Sequence, residues 1–142
     1  MNNSKLVIHT DGGSRGNPGP AACAFTAEID GKIVDKGSLF LGTQTNNVAE
    51  YDGVILALNW LTKNIDNYEI SIVNFILDSE LVVRQLNGIY KIKNKLLFEK
   101  SVQIKKMIGS LNTSVIFENV PRENNREPDK LLNEELDKYF SG

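Results

Sequence analysis

The chain has 142 residues, of which 41% are hydrophobic and 24% charged, and its formal net charge is −2. This length suits a single domain with one core, which we expect over residues 1–142. The longest apolar runs are too short to cross a bilayer, so we expect no membrane partner. The first residues lack the apolar segment of a secretion signal, and the single cysteine, Cys23, cannot form an internal disulfide. We therefore expect a cytoplasmic protein, with Cys23 as a buried, unreactive thiol.

Apolar runs and turn signals predict nine elements in the order β-β-β-α-β-α-α-β-α. The strands are predicted at residues 5–11, Ala21–Ile29, Ile33–Leu41, Ile70–Leu77 and Ser114–Glu118. The helices are predicted at residues 46–63, 79–86, 96–109 and 126–140. The dipeptide Asp30-Gly31 predicts a two-residue hairpin turn, and an asparagine at 46 or 47 is expected to cap the first helix. This order predicts an α/β fold, with a mixed sheet that carries helices on its faces.

Two aspartates follow apolar strands. Asp11 comes after Leu6-Val7-Ile8 and opens a glycine-rich stretch, and Asp78 closes the strand Ile70–Leu77. Ligands of open α/β sheets bind outside the carboxyl ends of the strands, so parallel neighbours would bring both carboxylates to one edge. The structural alternative is a helix N-cap, with Asp78 or Ser79 capping the helix that follows.

Two further acids lie on the apolar faces of helices. At about 100° per residue, Gly53, Val54, Ala57 and Leu61 all fall within about 60° of Glu50. Asp52 points elsewhere and is expected to be solvated. Asp129 shares a face with the apolar residues of the last helix, although an acid there could also be favoured by the helix dipole. A buried-face glutamate without a basic neighbour on its helix indicates a functional site.

A cluster of four carboxylates would be driven to protonate unless cations neutralised it. Mg²⁺ prefers oxygen ligands and keeps water and substrate phosphates in its shell. Two such ions roughly 3.5–4 Å apart suit the displacement of a phosphodiester oxygen. The predicted site is therefore suited to phosphodiester hydrolysis.

The charge distribution is uneven. Residues 84–106 contain seven basic residues and one acid in a chain that is negative overall. Such a patch could follow phosphates, but from charge alone a solvated helix face is the better interpretation.

Four motifs, in order and at matching spacing, resemble type 1 ribonuclease H. They are residues 10–19 (TDGGSRGNPG), 46–51 (NNVAEY), 77–79 (LDS) and 120–125 (VPRENN) with Asp129. The resemblance implies a ribonuclease H-like fold, with a five-stranded sheet of order 3-2-1-4-5 flanked by helices. It also implies endonucleolytic cleavage of the RNA strand of an RNA/DNA hybrid, leaving 5′-phosphate and 3′-hydroxyl ends.

The resemblance also implies roles for individual residues. The catalytic and metal-binding acids would be Asp11, Glu50, Asp78 and Asp129, holding two Mg²⁺ ions for which Mn²⁺ could substitute. The minor groove of the hybrid would be contacted by Gly12, Gly13, Ser14 and Asn17, and base edges by Asn46 and Asn47. Thr45 and Asn94 would hold a DNA-strand phosphate. We expect a monomer whose partner is the hybrid duplex. The 2′-hydroxyl distinguishes RNA from DNA, and exposed backbone beside short polar side chains can approach it.

The sequence departs from the family pattern in three places. One of them is Pro128, which precedes Asp129 where the family usually has alanine and is expected to shift the helix start and leave the ligand intact. The basic loop and extra helix of many members are absent, because residues 87–94 join the second and third helices directly. The loop before Asp129 lacks the histidine that many members carry. Glu123 could partly replace it, whereas His9, the single histidine, is expected to be structural.

Three alternatives stay open at this stage. A related nuclease or resolvase on this fold would act on DNA or double-stranded RNA. A silent hybrid-binding module would bind without cleaving, although such a protein should lose at least one of the four acids. The third alternative is an α/β domain whose acids are helix caps and surface charge.

Overall fold

The computed structural model describes residues 4–141. The two ends of the predicted domain, residues 1–3 and residue 142, lie outside this range. Its five strands are β1 (Ser4–Ser14), β2 (Gly19–Ile29), β3 (Lys32–Gln44), β4 (Ile70–Leu77) and β5 (Ser114–Asn119). Its four α-helices are α1 (Asn46–Asn64), α2 (Glu80–Leu86), α3 (Lys95–Gly109) and α4 (Arg126–Ser141). Short 3₁₀ turns lie at Ile65–Asn67 and Arg122–Asn124. The predicted element order is confirmed.

The strands form one mixed sheet of order β3-β2-β1-β4-β5, as the resemblance implied. β2 pairs antiparallel with β1 and β3, whereas β4 pairs parallel with β1 and β5. Because β1 is the central strand, both kinds of ladder meet on it.

Helices cover both faces of the sheet. On one face, Phe25 and Ala27 of β2 join the main core, which includes α1, α2 and α3. On the other face, Ala22 and Ala24 pack with the α4 residues Leu132 and Leu136. Alternate residues of β2 therefore serve two cores, because successive side chains of a strand point to opposite faces. None of the helices within residues 4–141 is long and apolar enough to cross a membrane.

β1 is longer than its apolar run predicts. The prediction that the strand ends at Asp11 is wrong, because β1 stays paired with β2 as far as Ser14. Its pairing with β4 nevertheless stops at His9. Asp11 therefore lies where β1 has left one neighbour and kept the other, so its carboxylate still emerges at the end of the parallel ladder.

Two local predictions on α1 are wrong. The N-cap is Thr45, whose hydroxyl accepts a hydrogen bond from the Val48 N–H at 3.2 Å, and not an asparagine. Asp52 is not solvated, since its carboxylate lies 2.7 Å from Lys100 Nζ and the two side chains are 18% and 20% exposed. This ion pair joins α1 to α3, a contact that the periodicity of a single helix does not reveal.

Cys23 is buried in β2 directly opposite Gly12 of β1. Burial raises the pKa of its thiol to about 12. Because the thiolate is the reactive form, this cysteine is unreactive at neutral pH, as its apolar surroundings predict.

Candidate active site

Three carboxylates from three elements meet at the carboxyl end of β4. Asp11 lies in β1, Glu50 in α1 and Asp78 directly after β4. Each contributes a carboxylate oxygen, and these oxygens lie within 4.8 Å of one another. Asp11 and Asp78 each lie two residues beyond the last pair of the parallel β1–β4 ladder, His9 and Ile76. The structure therefore places the two strand-end acids and Glu50 in one acidic triad.

Two glycines allow α1 to approach β1 closely. A Cβ on Gly12 would overlap the backbone of Ala49, and a Cβ on Gly53 would lie 2.9 Å from the carbonyl oxygen of Asp11. At this short separation the Gly12 N–H donates to Glu50 Oε1 at 2.6 Å and to Asp11 Oδ1 at 2.9 Å. One backbone amide thus holds two carboxylates of the acidic triad together.

Asp11 and Glu50 of the acidic triad are buried and Asp78 is half-buried, and the pKa of each carboxyl is raised. Burial raises the pKa of Asp11 from 3.8 to about 7. Burial also raises the pKa of Glu50 well above 4.5, and the hydrogen bond with Asp11 raises it further. The pKa of Asp78 is raised as well, again mainly by burial.

One oxygen of the acidic triad, Glu50 Oε2, is buried and has no hydrogen-bond partner among the described residues. Leaving such an atom unpaired is costly, so a native site would be expected to supply a partner. Carboxylate oxygens are the ligands that hard divalent cations prefer. The acidic triad therefore fits a divalent cation.

Asp129 lies across the same cavity but outside the acidic triad. It belongs to the first turn of α4 and is half-buried, and it lines an open cavity of about 360 Å³ together with the acidic triad. Its Oδ1 lies 3.7 Å from Arg122 and 3.3 Å from Asn133 Nδ2. All four predicted acids therefore line one cavity, and the three acids of the acidic triad lie close to one another within it.

The predicted substrate-binding residues divide into two groups. The first group lines the cavity and comprises Gly12, Gly13, Ser14, Asn46 and Asn47. Asn46 also ties α1 to the end of β1, because its Oδ1 accepts hydrogen bonds from Ser14 N at 2.8 Å and Ser14 Oγ at 3.1 Å. These short polar groups are held at the rim by the same close approach of α1 to β1.

The second group lies outside that cavity. Asn17 accepts a hydrogen bond from the Asn46 N–H at 3.0 Å. Thr45 and Asn94 are the exposed N-caps of α1 and α3, and Asn94 Oδ1 accepts from Leu97 N at 3.0 Å. All three side chains therefore accept hydrogen bonds from backbone N–H groups when no substrate is bound.

Two residues of the loop before α4 lie at or beside the cavity but were not predicted from the sequence. Arg122 lines the cavity whereas Glu123 does not, so Glu123 is poorly placed to replace a loop histidine. Asn125 is 1% exposed and contacts Asp78. Ser79, and not Asp78, caps α2 through its hydroxyl, which leaves the Asp78 carboxylate for the cavity. The polar run 121–125 was the available signal, but a loop's composition does not say which of its side chains turn inward.

The chain is similar to known proteins over most of its length. A family model described as "Reverse transcriptase-like" matches residues 9–135. A curated relative, "Ribonuclease HI" of Halobacterium salinarum, is 38% identical over 135 residues, which is 94% of this chain and 65% of that protein. A "bifunctional protein" of Mycobacterium tuberculosis is also 38% identical, over 94% of this chain. The chain spans only 36% of the length of that mycobacterial relative.

Solved structures agree closely in fold. An LC11 ribonuclease H1 crystallised in complex with an RNA/DNA hybrid is 39% identical, with a TM-score of 0.90 over 95% of this chain and 99% of that one. The ribonuclease H1 of Halobacterium salinarum has a TM-score of 0.86 at 35% identity, over 94% and 98% of the two chains. These comparisons confirm the resemblance and the fold read from the four motifs. The chain belongs to the type 1 ribonuclease H family.

Proposed function

We propose that this protein is an endonuclease that hydrolyses the RNA strand of RNA/DNA hybrids and leaves 5′-phosphate and 3′-hydroxyl ends. The acidic triad is the observation that carries the proposal, because three carboxylates with ligand oxygens within 4.8 Å of one another and an unpartnered buried oxygen on Glu50 fit a divalent cation. The similarity to a ribonuclease H1 crystallised with an RNA/DNA hybrid supports the choice of substrate.

The cofactor in this proposal is a pair of Mg²⁺ ions, with Mn²⁺ as a substitute. Asp11, Glu50 and Asp78 would hold one ion, and Asp129, across the cavity, would contribute to the second. Bound divalent cations would supply an activated water and would stabilise the charge that develops on the leaving oxygen. The chain itself keeps its carboxylates close together through the Gly12 amide, so the site is assembled before substrate arrives.

The remaining residues would position the hybrid. Residues 12–14 offer backbone and a small hydroxyl at the rim of the cavity, where a 2′-hydroxyl can be approached closely. Asn46 and Asn47 would read base edges, and Asn17 would support this surface. Thr45 and Asn94 would contact a phosphate of the DNA strand. Arg122 would contact the cleaved strand, since its guanidinium lies 3.7 Å from Asp129 and arginine pairs well with phosphate.

The wider context is also part of the proposal. The activity would reside in the domain predicted over residues 1–142, and that domain would act as a monomer in the cytoplasm. The sequence evidence for a reducing compartment is the single cysteine, which burial keeps unreactive.

A panel of labelled duplexes tests the proposal. We expect cleavage of the RNA strand of an RNA/DNA hybrid in Mg²⁺ or Mn²⁺ and none in chelator. DNA/DNA and RNA/RNA duplexes are included because the sequence leaves activity on double-stranded RNA open, and we expect the hybrid to be cleaved in preference to both. Preferential cleavage of either of those duplexes would instead indicate the related nuclease or resolvase.

Matched variants separate catalysis from binding. Asp78→Asn should abolish cleavage and leave the fold intact, whereas Asp66→Asn should have no effect. Asp66 lies in the exposed 3₁₀ turn after α1, outside the acidic cavity. A wild-type protein that retards a hybrid in a gel but never shortens it would be a silent binding module. Full activity of Asp78→Asn would reject the acidic triad as the catalytic centre.

A further inference from the structure

The Asn125 side chain connects the loop before α4 to two strands of the site. It is 1% exposed. Its Nδ2 donates a hydrogen bond to the Thr10 carbonyl oxygen at 2.8 Å and lies 3.4 Å from Asp78 Oδ2. A backbone carbonyl and an ionised carboxylate are both acceptors only. The orientation of the amide is therefore fixed, with its NH₂ group towards Thr10 and Asp78.

The other end of this amide faces His9. Asn125 Oδ1 lies 2.9 Å from His9 Nδ1. Because an amide oxygen can only accept, Nδ1 is the ring nitrogen that carries the proton. The Nε2 atom of the same ring lies 3.6 Å from Glu28 Oε1. The ring is thus held between β2 and the loop, and its Nδ1–H prevents the Asn125 amide from turning over.

Asp78 needs such support. It follows the last residue of β4, so no further strand pairing holds it, and it is only half-buried. The carboxylates of Asp11 and Glu50 repel it. A rotation about its side-chain bonds would carry the carboxylate away from them into the open cavity. The hydrogen bond from the Asn125 NH₂ group to Asp78 Oδ2 opposes this rotation.

We propose that His9 and Asn125 are positioning residues that hold the Asp78 carboxylate in the acidic triad. This inference rests on the proposed function, since it assigns Asp78 to a metal-binding centre. From the sequence, His9 was expected to be structural. In the structure its ring fixes the orientation of the Asn125 amide, and that amide contacts Asp78. Groups that orient metal-ligating side chains typically change metal affinity or activity roughly 10- to 100-fold when they are removed.

The experiment compares substitutions that remove or keep each contact. Asn125→Ala removes the amide, and His9→Phe removes the ring N–H but keeps a flat apolar body. His9→Asn keeps a short N–H donor in place of the Nδ1–H. The matched control is Asn74→Ala, because Asn74 is also a buried asparagine, 5% exposed, whose Nδ2 donates to Glu118 Oε1 at 2.9 Å outside the acidic cavity.

Three measurements are made on each variant: Mn²⁺ affinity by isothermal titration calorimetry, the melting temperature in chelator, and kcat and KM on a hybrid. We expect Asn125→Ala to weaken Mn²⁺ binding and to lower kcat by roughly 10- to 100-fold, with KM for the hybrid little changed. His9→Phe should move the same quantities in the same direction by a smaller factor, and His9→Asn should restore them. Asn74→Ala should lower the melting temperature and leave Mn²⁺ affinity unchanged.

The outcomes distinguish the two proposals. If Asp78→Asn loses Mn²⁺ binding while Asn125→Ala and His9→Phe keep it, the positioning role is overturned and the proposed function stands. A loss of affinity in Asn74→Ala equal to that in Asn125→Ala would also overturn it, since the effect would then be general destabilisation. If Asp78→Asn itself keeps both Mn²⁺ binding and cleavage, the proposed function fails. Should Asn125→Ala not fold, the difference between His9→Phe and His9→Asn decides the question.

Discussion

Replacing Asp11 by Asn should stabilise the protein in chelator while it removes metal binding. Asn has nearly the same shape as Asp, and its Oδ1 can keep the hydrogen bond from the Gly12 N–H, which is 2.9 Å in the wild type. Its NH₂ group can donate to the neighbouring carboxylates at any pH, whereas the wild-type carboxyl can donate only while it keeps its proton. The substitution therefore removes a buried charge without creating a cavity.

The size of the effect follows from the raised pKa of Asp11, which changes from 3.8 to about 7 on folding. Between these two values the unfolded chain has released the proton and the folded chain has kept it. The folded state then binds more protons, so the free energy of unfolding falls as the pH rises through this window. The full change is about 4 kcal/mol, and more than half of it falls between about pH 5 and pH 8.

Urea unfolding of both proteins in chelator measures this difference. The stability of Asp11→Asn relative to wild type should increase by roughly 2–3 kcal/mol from about pH 5 to pH 8. Adding Mn²⁺ at the higher pH should stabilise the wild type and leave the variant unchanged, because cation and protons compete for the same carboxylates. A stability difference that does not vary with pH, or a variant less stable than wild type at pH 8, would refute the reasoning.

Three further predictions concern the surroundings of the site. Gly12→Ala should lower the free energy of unfolding by about 3 kcal/mol, because a Cβ at this position overlaps the Ala49 backbone. In a thermal melt, Mn²⁺ should no longer stabilise this variant. The control is Gly109→Ala, because a Cβ on Gly109 meets nothing within 4 Å. Lys100→Met should lower the free energy of unfolding in urea by about 1–2 kcal/mol, because it leaves Asp52 unpaired. A second change, Asp52→Asn, should recover most of this loss. A double variant that is no more stable than Lys100→Met would contradict the prediction. Tyr51→Phe should cost about 1–2 kcal/mol, since it leaves the buried Gln85 Oε1 without the hydroxyl that now donates to it at 2.6 Å; unchanged stability would show that water replaces that bond.

The approximate bounds of all nine elements could be predicted from the sequence pattern, whereas the sheet order was implied by the family resemblance. Strand alternation and helical periodicity are local signals, and they also place Glu50 on a buried face. The predictions that failed depend on contacts between segments that are distant in the sequence. β1 runs beyond Asp11 because β2 continues beside it to Ser14, and Asp52 is half-buried because Lys100 of α3 reaches it. Neither partner is visible from the segment in question.

The candidate site shows the same division. Acids at the ends of strands and on helix faces were recognisable, because a carboxylate is conspicuous beside apolar neighbours. Asn125 and Arg122 were not assigned roles, because an asparagine or arginine in a polar loop resembles any solvated residue. The inward direction of their side chains follows from how the 3₁₀ turn Arg122–Asn124 folds against β1 and β4, which the residue types alone do not determine.

β1 pairs with two neighbouring strands over different lengths, and this pairing sets the position of the acidic cavity. β1 leaves β4 after His9 and remains with β2 to Ser14, so the gap that receives the acids is bounded by two main-chain ladders. Main-chain pairing survives most changes of side chain. Loop and rim residues other than Gly12 and Asn125 should therefore accept redesign, for example towards altered duplex preference, while the spacing of the acids is preserved.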